Sequence, residues 1–220
     1  MKSLKNFLLL LLFASLCSAV QRDENSWRKK ASVNPTILEY LGNVQGYGSV
    51  PGYSMRIEVT IDTMVGVRYE VTSFHGSKVF SHMAVFYKFS NPNQTIFYNF
   101  ITRKSFVSKA SSSADNATSI DVIGQEVIGK YKCTHLQQGS GSDFWMSKDV
   151  PGFTALVASL KHVDPKQLSM PFDGTILNWG GLVKMKMVDH STNALVGEIH
   201  LQNAKIGIPI RLGTFDVPSK

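Results

Sequence analysis

The stretch MRIEVTID, residues 55–62, alternates without a break: each odd-numbered residue is apolar and each even-numbered residue is polar. Successive side chains of a β-strand point to opposite faces of its sheet, so the pattern predicts a strand with one buried and one wet face. Such strands are typical of antiparallel sheets, because parallel sheets are buried on both faces. The fold therefore contains an antiparallel layer.

The same period returns along the chain in segments separated by glycine, serine, asparagine or proline turns. The further predicted strands are 65–72, 79–89, 95–99, 104–107, 119–123, 131–137, 143–146, 182–188 and 195–203. Short turns at 75–77 and 91–93 favour pairing between consecutive strands. A meandering antiparallel sheet is the economical interpretation.

Two segments have a helical period instead. Residues 32–42 begin with a capping Asn34 and with Pro35 at the first helical position, which predicts a short amphipathic helix. In residues 149–161 apolar side chains recur at helical spacing, which predicts a second helix. The expected fold class is α+β: a curved antiparallel sheet or half-open β-barrel with a few short helices covering its mouth.

Residues 1–19 have the layout of a secretory signal peptide: two lysines, an apolar run and a small-residue end. The run is too short to span a membrane and no later stretch is apolar enough, so we expect no integral membrane anchor. The predicted protein is secreted and extracellular, or periplasmic in a bacterium. Residues 20–52 are then a lead segment with the short helix, and residues 53–218 form one antiparallel β domain.

The chain is basic, with 23 Lys and Arg against 16 Asp and Glu and a net charge of +7. The excess is spread along the sequence, and the only local cluster is residues 28–30. An exported chain without a basic stripe is not expected to bind nucleic acid.

Removal of the signal peptide leaves Cys133 as the only cysteine of the sequence, so an internal disulfide cannot form. The residues around Cys133 alternate apolar and polar, and no signature of a catalytic cysteine surrounds it. Three roles stay open: a buried structural thiol, an intermolecular disulfide and a reactive site.

Catalytic and metal-binding patterns are missing from the sequence. None of the six histidines forms a pair at metal-ligand helical spacing, and HExxH, CxxC and GxSxG do not occur. We therefore expect no metal, no cofactor and no enzymatic activity, with a hydrolase that uses scattered carboxylates as a third alternative. The acceptor patterns at Asn93 and Asn116 predict N-glycosylation.

The middle strands are rich in aromatic residues, and methionines recur elsewhere in the chain. Such side chains can line a cavity for a flexible apolar ligand, and they can equally fill a core. The residues that we predict to contact a ligand are Met55, Ile57, Val59, Tyr69, Phe86, Phe97, Trp145, Phe153, Leu156 and Met185.

Three short stretches resemble a known group of proteins: residues 123–136 with Gly-Lys-Tyr-Lys-Cys, residues 143–151 with Trp145, and the closing Phe-Asp-Val-Pro-Ser at 215–219. They are similar to an uncharacterised family of exported domains related to the LolA and LolB lipoprotein carriers. In that family a Gly-Tyr-x-Cys strand precedes a Trp strand and a short helix, whereas this chain has Gly-Lys-Tyr. The likeness covers roughly residues 53–218. Secreted ependymin-like proteins of animals look like the same architecture, but they carry a disulfide framework that a single cysteine cannot provide.

The resemblance implies a half-open antiparallel barrel, helices that plug its mouth and an apolar cavity that takes acyl chains. In this interpretation Cys133 and Trp145 are wall residues on successive strands. The expected function is a secreted, non-enzymatic carrier whose partner is a lipid or another hydrophobic small molecule, with any partner protein unknown. The alternative is an extracellular structural or protein-interaction glycoprotein with a solid core.

Overall fold

The computed structural model describes residues 35–46, 51–62, 64–91, 94–109, 119–138, 142–153, 178–189, 192, 194–210 and 213–218. These residues form eleven strands. The strands are β1 (Thr36–Val44), β2 (Tyr53–Asp62), β3 (Gly66–His75), β4 (Lys78–Lys88), β5 (Gln94–Asn99), β6 (Lys104–Lys109), β7 (Ile120–Ile128), β8 (Tyr131–Gln138), β9 (Ser142–Ser147), β10 (Gly181–Val188) and β11 (Leu195–Ile206).

All eleven strands belong to one antiparallel sheet with the order β6-β5-β4-β3-β2-β1-β11-β10-β9-β8-β7. Every strand that the alternation predicts is present. The largest differences in length are in β7, which continues to Ile128, and in β11, which continues to Ile206. The antiparallel sheet predicted from the sequence is confirmed.

The helix predicted over residues 32–42 is wrong, because Thr36–Val44 is strand β1. Its even-numbered residues Thr36, Leu38 and Tyr40 are buried, and it pairs along its length with β2 on one side and β11 on the other. A short segment with mixed periodicity satisfies more hydrogen bonds between two strands than in an isolated turn or two of helix, which is marginal in water.

The second predicted helix falls largely outside the described residues. Of residues 149–161 only 149–153 are described: residues 149–152 form turns and a bend, and Phe153 is helical. Val150 donates to Ser147 O and Phe153 to Val150 O, each at 3.4 Å. The predicted signal peptide and the start of the lead segment also lie outside the described residues.

Strand β1 is the centre of the sheet. Strands β2 to β6 form one meander, β7 to β11 form another, and β1 hydrogen-bonds to a strand of each. A domain boundary at residue 53 therefore leaves out the strand that joins the two halves.

The length of the chain between the two edge strands requires the sheet to bend. Ten interstrand spacings of about 4.8 Å would separate β6 from β7 by roughly 48 Å in a flat sheet. The link from Lys109 to Ile120 reaches about 40 Å when fully extended. Because all neighbours are antiparallel, β6 and β7 run in the same direction, so the end of β6 and the start of β7 lie at opposite ends of the sheet and would be still farther apart in a flat sheet.

The bend surrounds the main hydrophobic core. Most buried apolar residues of the sheet, among them Leu38, Val59 and Met185, lie on the face that carries Tyr40 and belong to one cluster with it. We call this face, around which the sheet bends, the concave face; the opposite face is the convex face. Among the described residues β6 and β7 each have one neighbour, so the sheet is open.

Candidate functional site

The concave face is a continuous apolar surface. Directly opposed residues of antiparallel neighbours point to the same face, so each row of opposed residues shows what that face carries. One row, from β8 to β2, is Leu136, Phe144, Met185, Ile199, Gly42 and Met55. A second row, from β1 to β6, is Leu38, Val59, Tyr69, Val85, Phe97 and Phe106.

The sheet brings most of the predicted ligand-contacting residues together. Those on the concave face are Met55, Ile57, Val59, Tyr69, Phe97 and Met185. Phe86 and Trp145 lie on the convex face, and Phe153 packs into the main core from the loop after β9. Leu156, Asn93 and Asn116 lie outside the described residues.

Phe86 belongs to a separate cluster on the convex face. It packs with Ala84 and Tyr98, and Val217 of the C-terminal segment packs against them. Lys88 donates to Asp216 Oδ1 at 2.7 Å, which ties that segment to β4. The C-terminal Phe-Asp-Val-Pro thus covers the outside of the sheet.

Trp145 is enclosed by polar side chains on the convex face. Its ring stacks on His135 at 4.3 Å, its Nε1 donates to Glu126, and Lys184 Nζ lies 5.1 Å from the ring centre. His135 Nε2 and Asp143 Oδ1 are 2.9 Å apart. Because Trp145 is directly opposite Lys184 while Met185 faces the other way, Trp145 and Met185 do not share a face.

On the concave face, methionine side chains pack directly against two glycines. A Cβ on Gly42 would be 2.9 Å from Met55 Cγ and 3.0 Å from Ile199 Cγ1. A Cβ on Gly197 would be 2.8 Å from Met187 Cε. The floor of the concave face is therefore made of side chains that change rotamer at low cost.

Tyr40 is the best defined polar group of this face. Its hydroxyl donates to the Leu182 carbonyl at 3.2 Å, and burial, together with Tyr69 and Tyr131, raises its pKa. A raised pKa keeps the Tyr40 phenol protonated and neutral at ordinary pH. Leu38 and Tyr40 were missed as site residues because β1 was interpreted as a helix; the alternation of Thr36, Leu38 and Tyr40 is the signal that locates them.

The loop after β9 covers one end of the concave face. A Cβ on Gly181 would lie 2.7 Å from Val150 Cβ, and Gly152 packs directly against the Thr36 side chain. Val150 and Phe153 are buried in the main core. This loop closes the end at which β1 begins.

Cys133 is a buried structural thiol, with 2% of its surface exposed. Its Sγ contacts the Tyr131 carbonyl at 3.6 Å, and burial raises its pKa. A raised pKa keeps the thiol protonated and a poor nucleophile. As the resemblance implies, Cys133 and Trp145 lie on successive strands, β8 and β9.

Two further features of the described residues bear on chemistry and location. Their His, Cys, Asp and Glu side chains form no group of three or more that could hold a metal ion. Within the same part of the chain, no helix has the length and apolar character needed to cross a membrane.

The chain belongs to the family described as "Domain of unknown function (DUF4412)", whose model matches residues 53–219. No curated protein matches the chain in sequence. The matched region starts at β2 and so leaves out the central strand β1.

Several solved structures resemble the chain at low identity. MucB, in its complex with MucA(peri), is 8% identical with a TM-score of 0.39 over 90% of this chain, which spans 60% of the MucB chain. A putative outer membrane lipoprotein-sorting protein domain from Vibrio parahaemolyticus is 11% identical with a TM-score of 0.38, covering 88% of this chain and 93% of that one. The LolA superfamily protein NE2245 from Nitrosomonas europaea is 9% identical with a TM-score of 0.33, covering 83% and 90%. All three TM-scores lie below 0.5.

Proposed function

We propose that this member of the DUF4412 family is an exported, non-enzymatic carrier that holds a lipid or another flexible hydrophobic molecule on its concave face. The observation that carries the proposal is the continuity of that face. Opposed apolar residues run from Leu136 on β8 to Met55 on β2 and from Leu38 on β1 to Phe106 on β6. Burial alone holds such a ligand, at about 25 cal/mol per Å² of apolar surface removed from water.

The edge strand β6 supports a route onto this face. Phe97 and Phe106 stack with ring centres 4.5 Å apart, yet Phe97 is 4% exposed and Phe106 is 57% exposed. The concave apolar surface therefore continues to solvent at β6. An open sheet edge with an exposed aromatic ring gives an acyl chain a place to enter.

Two other features support the proposal. Met55, Met185 and Met187 can rearrange around ligands of different shape, because methionine is unbranched and flexible. The signal-peptide pattern of residues 1–19 supports export.

One observation favours the alternative, an extracellular interaction or structural glycoprotein with a solid core. Leu136 and Met185 have no exposed surface, and methionines already occupy the space above Gly42 and Gly197. A face filled in this way is a core rather than a site. The two functions differ in whether the floor side chains move aside for a guest.

Native mass spectrometry and lipid extraction of the purified protein separate the two functions. A carrier is expected to retain an extractable lipid, or to bind a fluorescent fatty acid added in its place. Repeated recovery of a protein without any bound or bindable lipid would contradict the carrier function. A broad hydrolase screen that releases product would contradict its non-enzymatic character.

Substitutions at two neighbouring residues of β6 test which face of the sheet binds the ligand. Phe106 lies on the concave face and Val107 on the convex face, with 57% and 52% of their surfaces exposed. We expect Phe106→Ser to weaken fatty-acid binding by about tenfold, since it removes part of an aromatic contact, and Val107→Ser to leave binding unchanged. Equal effects of the two substitutions would show that the ligand is not on the concave face.

A further inference from the structure

Two adjacent hairpins end at the same end of the sheet. Strand β4 pairs with β3 on one side and β5 on the other, so the β3–β4 and β5–β6 turns lie side by side. We call residues 75–80 and 101–104 the hairpin tips. Every residue in them is exposed.

Local contacts order both tips. In the first tip His75 stacks on Phe80 at 4.2 Å. In the second, Asn99 Oδ1 accepts from the backbone N–H groups of Ile101 and Thr102, both at 2.9 Å. Side chains on such ordered turns are presented to a partner with little loss of conformational entropy.

The tips combine apolar and cationic side chains. Val79, Phe80 and Ile101 are 42%, 41% and 55% exposed. The three charged residues of the tips are Lys78, Arg103 and Lys104; neither tip contains Asp or Glu. Large apolar side chains in turns whose only Lys, Arg, Asp or Glu residues are cations match a membrane surface, which has negatively charged headgroups above an apolar interior.

We propose that the hairpin tips dock the protein on an anionic lipid surface. Val79, Phe80 and Ile101 enter the boundary between headgroups and acyl chains, while Lys78, Arg103 and Lys104 meet lipid phosphates. Docking needs no ligand on the concave face, so it goes beyond the carrier function and does not depend on it.

Co-sedimentation with vesicles tests the charge requirement. The protein is expected to bind vesicles of phosphatidylcholine and phosphatidylglycerol in equal parts better than vesicles of phosphatidylcholine alone. Changing the three tip cations together (Lys78→Gln, Arg103→Gln, Lys104→Gln) is expected to lower the partition coefficient on the order of a hundredfold.

A matched triple variant removes the same charge from the opposite end of the sheet. Lys130, Lys132 and Lys148 are exposed around the β7–β8 turn and the end of β9, and their change to Gln is expected to leave vesicle binding close to that of the parent. The N-terminal segment is identical in all variants, so it cannot produce a difference. Equal losses in both triples, unchanged binding in the tip triple, or no binding by the parent would each overturn the proposal.

A tryptophan probe tests insertion. Ile101→Trp places a fluorophore in a tip, where Ile101 is 55% exposed, and Val127→Trp places one on β7, where Val127 is 68% exposed. Brominated lipids are expected to quench the added emission of Ile101→Trp and not that of Val127→Trp. Equal quenching, or none, overturns docking through the tips, whereas loss of fatty-acid binding leaves this result untouched.

Discussion

The buried thiol of Cys133 gives the first prediction at the scale of single residues. Only 2% of its surface is exposed and its pKa is raised by burial, so a thiol reagent should not react with the folded protein and should react once denaturant unfolds it. Cys133→Ser should cost about 1–3 kcal/mol in the free energy of unfolding, because a hydroxyl needs a stronger hydrogen bond than a buried thiol does. Fast labelling of the native protein would contradict the structural role.

Tyr40 gives a second residue-scale prediction, in which the sign depends on pH. Its folded-state pKa lies above the ordinary value of 10.0, so its contribution to stability is complete below about pH 10 and is lost as the pH rises further. At neutral pH, Tyr40→Phe should cost about 1 kcal/mol, the net value of the hydrogen bond to Leu182 O.

Above about pH 10 the Tyr40→Phe variant should become the more stable of the two proteins. The unfolded parent then has an ionised phenol that must take up a proton to be buried on folding, whereas the variant has no phenol at this position. Urea unfolding from neutral to strongly alkaline pH measures this, and the other tyrosines are common to both proteins. A constant difference between the two curves would show that Tyr40 does not titrate differently on folding.

At the scale of elements, the close packing of β1 on β2 and β11 depends on a residue without a side chain. Gly42→Ala would place a Cβ 2.9 Å from Met55 Cγ and 3.1 Å from Glu198 O, and the backbone oxygen cannot move aside as a methionine can. We expect a loss of about 1–3 kcal/mol in unfolding free energy, the usual cost of overpacking. Chemical denaturation measures it.

Gly124 on the edge strand β7 is the matched control. A Cβ there meets nothing within 4 Å, so Gly124→Ala should be neutral or stabilise by up to about 1 kcal/mol through the loss of unfolded-state freedom. If Gly42→Ala is as harmless as Gly124→Ala, the central strands are not packed as closely as described.

Alternation in the sequence was sufficient to predict strands and, for some of them, their facing. Met55, Ile57 and Val59 are spaced by two along β2 and therefore share a face, and the polar residues between them make this visible in the sequence. Tyr69 lies on the same face because it pairs directly with Val59. Apolar and polar residues alternate in these strands, so the sequence shows which side chains share a face. Six of the ten predicted ligand-contacting residues reach the concave face for this reason or by pairing with such strands.

The facing of Phe86 and Trp145 could not be predicted in the same way. Residues 84–87 and 144–146 are apolar at every position, so the sequence does not show which of these side chains lie on which face. Both faces of the sheet are covered at these points: Val217 packs against the Phe86 cluster, and His135 and Lys184 enclose Trp145. These contacts come from distant parts of the chain and leave no local mark in the sequence.

At the scale of the whole molecule, the two meanders are linked in space by β1 rather than by each other. Strands β2 to β6 and β7 to β11 are joined in sequence by the segment between the two sheet edges, but they have no common ladder in the described residues apart from β1. The nine residues of β1 pair with β2 and with β11 over their whole length, and they bring Leu38 and Tyr40 into the core. A chain without β1 exposes two inner strand edges and the apolar residues beside them.

We therefore expect a chain that begins at residue 53, where the family match begins, to lose cooperative folding. Its comparison is a chain that begins at residue 20, directly after the predicted signal peptide. Thermal unfolding followed by near-ultraviolet circular dichroism should show one sharp transition for the longer chain, and a broad transition or aggregation for the shorter one. Addition of a peptide of residues 35–46 should restore the sharp transition, because that segment supplies both missing ladders and the buried face of β1. An identical midpoint in the two chains would show that the two meanders can pair without β1, and the concave face would then have to form around a different central contact.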